Sequence, residues 1–135
     1  MASAGWALQR AIYEKLTTDA AVSAALGGPH VHDDVPRGVE LPYVTIGQSS
    51  VRDWSTGSED GEEHSLTLHV WSRANGRRQV QEIMGALRSA LNDAALSPAG
   101  HRLVNLRQEF TETRRDPDGE TYHGLMRYRA VTEPV

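Results

Sequence analysis

From Glu63 to Trp71 the chain alternates residue by residue. His64, Leu66, Leu68 and Val70 fall on one side, and Ser65, Thr67, His69 and Trp71 on the other. A period of two marks a strand with one buried face. Such a strand needs partners along its edges and something apolar laid over it, and the rest of the chain supplies both. Val44 and Ile46 alternate with Thr45 and Gly47 in a strand that opens at Pro42 and runs to about Val51. Val104, Leu106 and Phe110 alternate with Asn105, Arg107, Glu109 and Thr111, and Met126, Tyr128 and Ala130 alternate with Arg127 and Arg129. A short edge strand is expected over residues 30–35, ended by Pro36-Arg37-Gly38.

The cover comes from segments with helical periodicity. Residues 5–17 carry Leu8, Ile12 and Leu16 on one stripe with Ala11 beside them. Thr18 or Asp19 then caps a short piece from Ala20 to Leu26, which Gly27-Gly28-Pro29 stops. Gly76 to Asn92 places Val80, Ile83, Leu87 and Leu91 on a second stripe, flanked by Met84 and Ala90. Strands with one apolar face and helices with one apolar stripe predict an α+β fold: an antiparallel β-sheet with two main helices packed on one face, in the order α-(α)-β-β-β-α-β-β. With no linker and no internal repeat, residues 1–135 read as one domain. Its expected core is Val44, Ile46, Leu66, Leu68, Val70, Leu106, Phe110, Met126 and Tyr128 from the sheet, with the two stripes above.

The turn between the last two strands follows from parity, because residues facing each other across an antiparallel pair share a face. A three-residue loop, Pro117-Asp118-Gly119, sets Phe110 opposite Met126, Gln108 opposite Tyr128 and Leu106 opposite Ala130. It also puts Pro and Gly where such a turn needs them. On the other face this register pairs Glu109 with Arg127 and, unfavourably, Arg107 with Arg129.

Composition narrows function. Fourteen Lys and Arg against eighteen Asp and Glu leave a net charge of −4, the wrong sign for tight wrapping of DNA, whose affinity comes from neutralised phosphates. Hydrophobic residues make up 39%, below the usual share, which suits a subunit that gains stability from neighbours. The absence of Cys removes disulfides, thiolate catalysis and Cys-ligated zinc. No signal peptide opens the chain and no stretch approaches membrane-spanning length, so it is expected to be made in a cytoplasm without a membrane partner.

No catalytic constellation stands out, and no cofactor is implied; the chain reads as a non-enzyme. His30-Val31-His32-Asp33-Asp34 has two histidines at strand spacing, but no third ligand is in sight, so a polar edge strand accounts for it. Asp116-Pro117-Asp118-Gly119-Glu120 is explained by the hairpin rather than by calcium. The polar segment Arg52 to Glu62 is long for a connector. Its acidic run and Trp54 suggest a contact arm, and the arginines of the last hairpin suggest its acceptor. The candidate assembly interface is therefore Trp54, Glu59, Asp60, Glu62, Glu63, Arg107, Arg127 and Arg129. The segment from Asp53 to Gly61 is expected to be mobile in an isolated subunit. The alternative use of the arginines is a nucleic-acid-binding module.

The layout resembles the tail-completion, or tail-terminator, proteins of long-tailed phages and phage-like gene transfer agents. The resemblance is carried by Leu16-Thr17-Thr18-Asp19-Ala20-Ala21-Val22 and the Leu26-Gly27 stop, then Pro42-Tyr43-Val44-Thr45-Ile46-Gly47. It continues in Leu68-His69-Val70-Trp71-Ser72 running into Gly76 and a helix, Leu103-Val104-Asn105-Leu106, and His123-Gly124 ahead of Arg127-Tyr128-Arg129. It implies a structural protein of the virion tail, a homo-oligomeric ring of the family's hexameric form, at the head-proximal end of the tail tube. Its partners would be itself, the tail tube protein and a head-completion (stopper) protein, with DNA passing transiently through the lumen.

Overall fold

The computed structural model describes residues 3–35, 37–73 and 76–135. The order along the chain is α1 (Ala4–Thr18), α2 (Ala20–Leu26), β1 (Val31–His32), β2 (Tyr43–Asp53), β3 (Glu62–Ser72), α3 (Arg78–Leu91), β4 (His101–Arg115) and β5 (Tyr122–Pro134). Local chemistry explains the helix limits. The Trp6 amide donates to Ser3 Oγ at 3.2 Å and opens α1, and the Val22 amide donates to Asp19 Oδ1 at 3.0 Å and opens α2. Gly27 closes α2 at φ 76°, a conformation that suits glycine.

The five strands form one sheet in the order β1-β2-β3-β5-β4. It is mixed rather than wholly antiparallel: β1 runs parallel to β2, with Val31 opposite Val44 and His32 opposite Thr45. The reason is the crossover after Asp34, which carries the chain back to start β2 at the same end as β1. The expected end of the β1 segment at Pro36 lies outside the described residues. β5 returns between β3 and β4, so the last hairpin joins the sheet through its second strand.

All three helices contribute to one core with the strands. Leu8, Ile12 and Leu16, Val80, Ile83, Leu87 and Leu91, and Val44, Ile46, Leu66, Leu68, Val70, Leu106, Met126 and Tyr128 are all buried. Phe110 is not; it is 46% exposed. Its displacement has a cause in the turn. The Asp116 amide donates to the Thr121 carbonyl at 2.8 Å, and Arg115 faces Tyr122. The loop is thus longer than three residues, and the lower half of the hairpin runs one residue out of the expected register. A bulge between Gln108 and Phe110 absorbs the difference. Above it, Gln108 faces Tyr128, Arg107 faces Arg129 and Leu106 faces Ala130, as parity predicts. Below it, Phe110 faces Arg127 and Thr111 faces Met126, so Phe110 is turned to the helix-free face. Asp118 holds the turn: its carboxylate accepts from Thr121 Oγ1 at 2.6 Å and from the amides of Thr121 and Glu120, which lowers its pKa to about 2.

Candidate assembly interface

The helix-free face of the sheet carries the polar half of every alternation. β3 presents Glu63, Ser65, Thr67, His69 and Trp71 there, and across from them β5 presents Val131, Arg129, Arg127, Leu125 and His123. The strands also run further than the sequence suggests. β2 and β3 pair up to Asp53 and Glu62, so the polar connector shrinks to a hairpin end. That end has bonds of its own: the Trp54 amide donates to the Gly61 carbonyl at 2.9 Å and the Thr56 amide to the Glu59 carbonyl at 2.8 Å. Ser55 Oγ donates to Asp53 Oδ1 at 2.6 Å, and together with the Ser55 amide it holds the Asp53 carboxyl below the usual range. The stretch expected to act as a contact arm is thus a loop over residues 54–61 that joins β2 to β3 and is tied by hydrogen bonds of its own.

The predicted interface residues divide into those already engaged and those presented to the outside. Glu63 is engaged. Its carboxylate accepts from Arg52 Nε and, at 2.6 Å, from Arg129 Nε. These two guanidinium groups, Arg52 first, hold its pKa below the usual carboxylate value. Arg129 in turn lies 5.2 Å from the ring centre of Trp54. The pairing of Arg107 with Arg129 is real, and each finds a carboxylate in the same chain: Arg129 on Glu63, and Arg107 on Asp93 at 3.8 Å. Arg127 stands over Phe110, 5.6 Å from its ring centre, in the place expected of Glu109. Glu59 and Asp60 are exposed at the hairpin end. Glu62 faces Asp53 across the β2–β3 pair, so two like charges meet at that rim.

A second group on this face escaped sequence reasoning. His69 Nδ1 and His123 Nε2 are 2.7 Å apart, and the His123 ring stacks on Trp71 at 4.0 Å between centres and 2° between planes. One nitrogen of the pair donates and the other accepts, so the bond requires one proton between them. Burial comes first in holding both histidines below their ordinary pKa, and Arg114 adds to it in each case. His69 also covers Gly47, where an added Cβ would come within 2.6 Å of the imidazole. The signal that could have revealed the group is that His69 and Trp71 share a face. What was missing was the neighbour, because β5 is next to β3 only after a crossover. Of the other histidines, His64 is buried on the core side and shares a 2.9 Å bond with Thr132 Oγ1. His32 stands edge-on to Tyr43, with 6.0 Å between ring centres.

Charged clamps, stacked rings and a hydrogen-bonded acidic hairpin end on a helix-free sheet face make a surface suited to contact with other proteins. Comparison with known proteins agrees with that character. Residues 10–133 match the sequence profile of the family described as Tail completion protein gp17. The Tail completion protein gp17 of Bacillus phage SPP1 is 32% identical over 88 residues, which is 65% of this chain; the match spans just under two thirds, 65%, of that relative's own length. Among solved structures, a chain in the virion of a native gene transfer agent particle superposes with a TM-score of 0.89 at 30% identity, covering 98% of this chain and 99% of that one. The structure of bacteriophage SPP1 gp17 superposes with a TM-score of 0.64 at 26% identity, covering 94% and 89%. The match along nearly the whole chain and the shared fold lead to one conclusion: the chain belongs to the family of gp17 tail completion proteins of phages and gene transfer agents.

Proposed function

We propose that this protein is a structural subunit that closes the head-proximal end of a tail tube as a ring, a hexamer by the family resemblance, and joins the tail to the head-completion protein while DNA passes through. The observation that carries the reading is the close superposition on a chain of an assembled gene transfer agent virion over almost the full length of both. The character of the surface supports it. The helix-free face is rich in arginine, yet Arg129 and Arg52 share the carboxylate of Glu63 and Arg107 is met by Asp93. Such a face offers polar, geometrically fixed contacts to a protein, with part of its positive charge already offset against DNA. The hairpin end with Trp54, Glu59, Asp60 and Glu62 serves as a contact to a neighbouring subunit or to the tube.

Deletion of the gene in its native particle tests the reading directly. Electron micrographs should then show tails of uncontrolled length, or heads and tails that do not join. Normal-length tails attached to heads would overturn it.

A further inference from the structure

The two margins of the sheet are blocked in complementary halves. At one margin, β1 covers β2 only at Val44 and Thr45, leaving residues 47–53 with no main-chain partner but β3 among the described residues. At the other, the upper half of β4 is closed by the chain's own links. The Asp93 amide donates to the Leu106 carbonyl at 2.8 Å, the Gln108 amide donates to Asn92 Oδ1 at 3.0 Å, and the His101 amide donates to the Pro98 carbonyl at 3.0 Å. Residues 110–115 of β4 have no main-chain partner but β5 among the described residues. Unpaired strand edges are templates for another strand, and proteins usually blunt them. Here half of each edge is blunted and half is left open, on a diagonal.

The charges around the two margins are also of opposite sign. Residues 31–62, which include the open β2 edge, hold seven acidic side chains and two arginines, whereas β4 holds four arginines and two glutamates. Asp33 and Asp34, exposed beside that edge, have no ion-pair partner among the described residues.

We propose that copies of this chain join head to tail, the open lower half of β4 in one copy pairing with the open upper half of β2 in the next. This rests on the ring reading above and specifies the joint. The stagger that the diagonal imposes can be measured. Glu112, in the middle of the open β4 stretch, is level with Leu125, His69 and Thr45. Ser50, in the middle of the open β2 stretch, is level with Ser65, four residues further along β3. The neighbour is therefore displaced by about 13 Å along the strands and, across four strand spacings, by about 19 Å. That gives a strand tilt of about 35°, inside the range of about 35–45° that a sheet needs to close on itself. The pairing is antiparallel if all copies point the same way, and the displacement sets the neighbour's β1 beyond the last residue of β4, level with the start of the turn between β4 and β5. Because the two surfaces are different patches of one chain, the contact is heterologous and generates a ring when its rotation closes.

The natural chain has no cysteine, so engineered thiols report cleanly. A chain carrying Ser50→Cys and Glu112→Cys should, on mild oxidation, give a ladder of linked copies ending in one closed species. Ser50→Cys with Arg107→Cys, which would be level in an unstaggered joint, should not. In the unaltered protein, assembly should slow amide exchange at residues 47–53 and 110–115 by at least about tenfold. Oligomers seen by native mass spectrometry in which neither stretch gains protection, or in which only the level pair links, would overturn the joint and leave the ring standing. A chain that is monomeric at every concentration and never links would overturn both.

Discussion

Glu63 shows how a residue's partners change the meaning of its charge. In sequence it is one of a run of acidic side chains; in the fold it is shared by Arg52 and Arg129, and leaves only about a tenth of its side chain exposed. Replacing Glu63 with Lys puts a third cation between two others, so the melting temperature should drop markedly. Glu62→Lys, which relieves the like-charge meeting with Asp53, should leave folding intact or improve it slightly. A calorimetric scan of both variants decides the matter, and equal melting temperatures would mean that the clamp contributes nothing. The sign with pH is set by the depressed pKa of Glu63. Its contribution is complete above the unfolded value of 4.5 and is lost as pH falls through the lower folded value. Glu63→Gln should therefore differ from the natural protein near neutral pH and converge with it in strong acid.

The buried histidines act in a higher range. Burial is the leading cause that lowers the pKa of His64, His69 and His123 from 6.5. Below that value the unfolded chain binds more protons than the folded one, so stability should fall as pH drops from about 7 to about 5. His69→Gln with His123→Gln should make that decline shallower in urea titrations at stepped pH, while His64 keeps a part of it. An unchanged slope would mean that the stacked pair keeps its ordinary protonation in the fold.

At the scale of elements, the bulge in β4 separates two hydrophobic residues that look alike in sequence. Leu106 lies above it and is fully buried, whereas Phe110 lies below it and is nearly half exposed beneath Arg127. Leu106→Ala should cost about 2–5 kcal/mol, as should Leu87→Ala at the centre of α3. Phe110→Ala should cost no more than about 1 kcal/mol, the scale of an exposed cation–ring contact. Chemical denaturation of the three variants tests this ordering, and a Phe110→Ala loss as large as that of Leu106→Ala would place the ring in a core. The contact of α3 with β5 has its own sensitive point. A Cβ on Gly124 would come within 2.6 Å of Met84 Sδ and 3.0 Å of Val80 Cγ2. Gly124→Ala should therefore cost about 1–3 kcal/mol through overpacking, and a combined Met84→Ala should recover part of it.

For the molecule as a whole, a net charge of −4 and arginines met by carboxylates in the same chain predict weak, salt-sensitive affinity for duplex DNA. A sub-micromolar Kd near physiological salt that is weakened by Arg127→Ala and Arg129→Ala would instead favour a nucleic-acid-binding use of the last hairpin. Much of this molecule is legible in its sequence. Side-chain periodicity is a property of a few neighbouring residues, so the limits of α1 and α2, the order of elements and the buried face of β3 follow from it directly. So does the meeting of Arg107 with Arg129, because the hairpin that joins them is local. The direction of β1, the place of β5 between β3 and β4 and the bulge at Phe110 were decided by the tertiary structure. Each depends on which distant main-chain groups find each other, and a one-residue change in a turn can be absorbed by a bulge further along without disturbing the core. The same holds for the candidate site. Its residues could be named from their exposure and charge, but the bonds between His69 and His123 and between Glu63 and Arg129 join residues 54 and 66 positions apart. Only the folded sheet brings those side chains within reach.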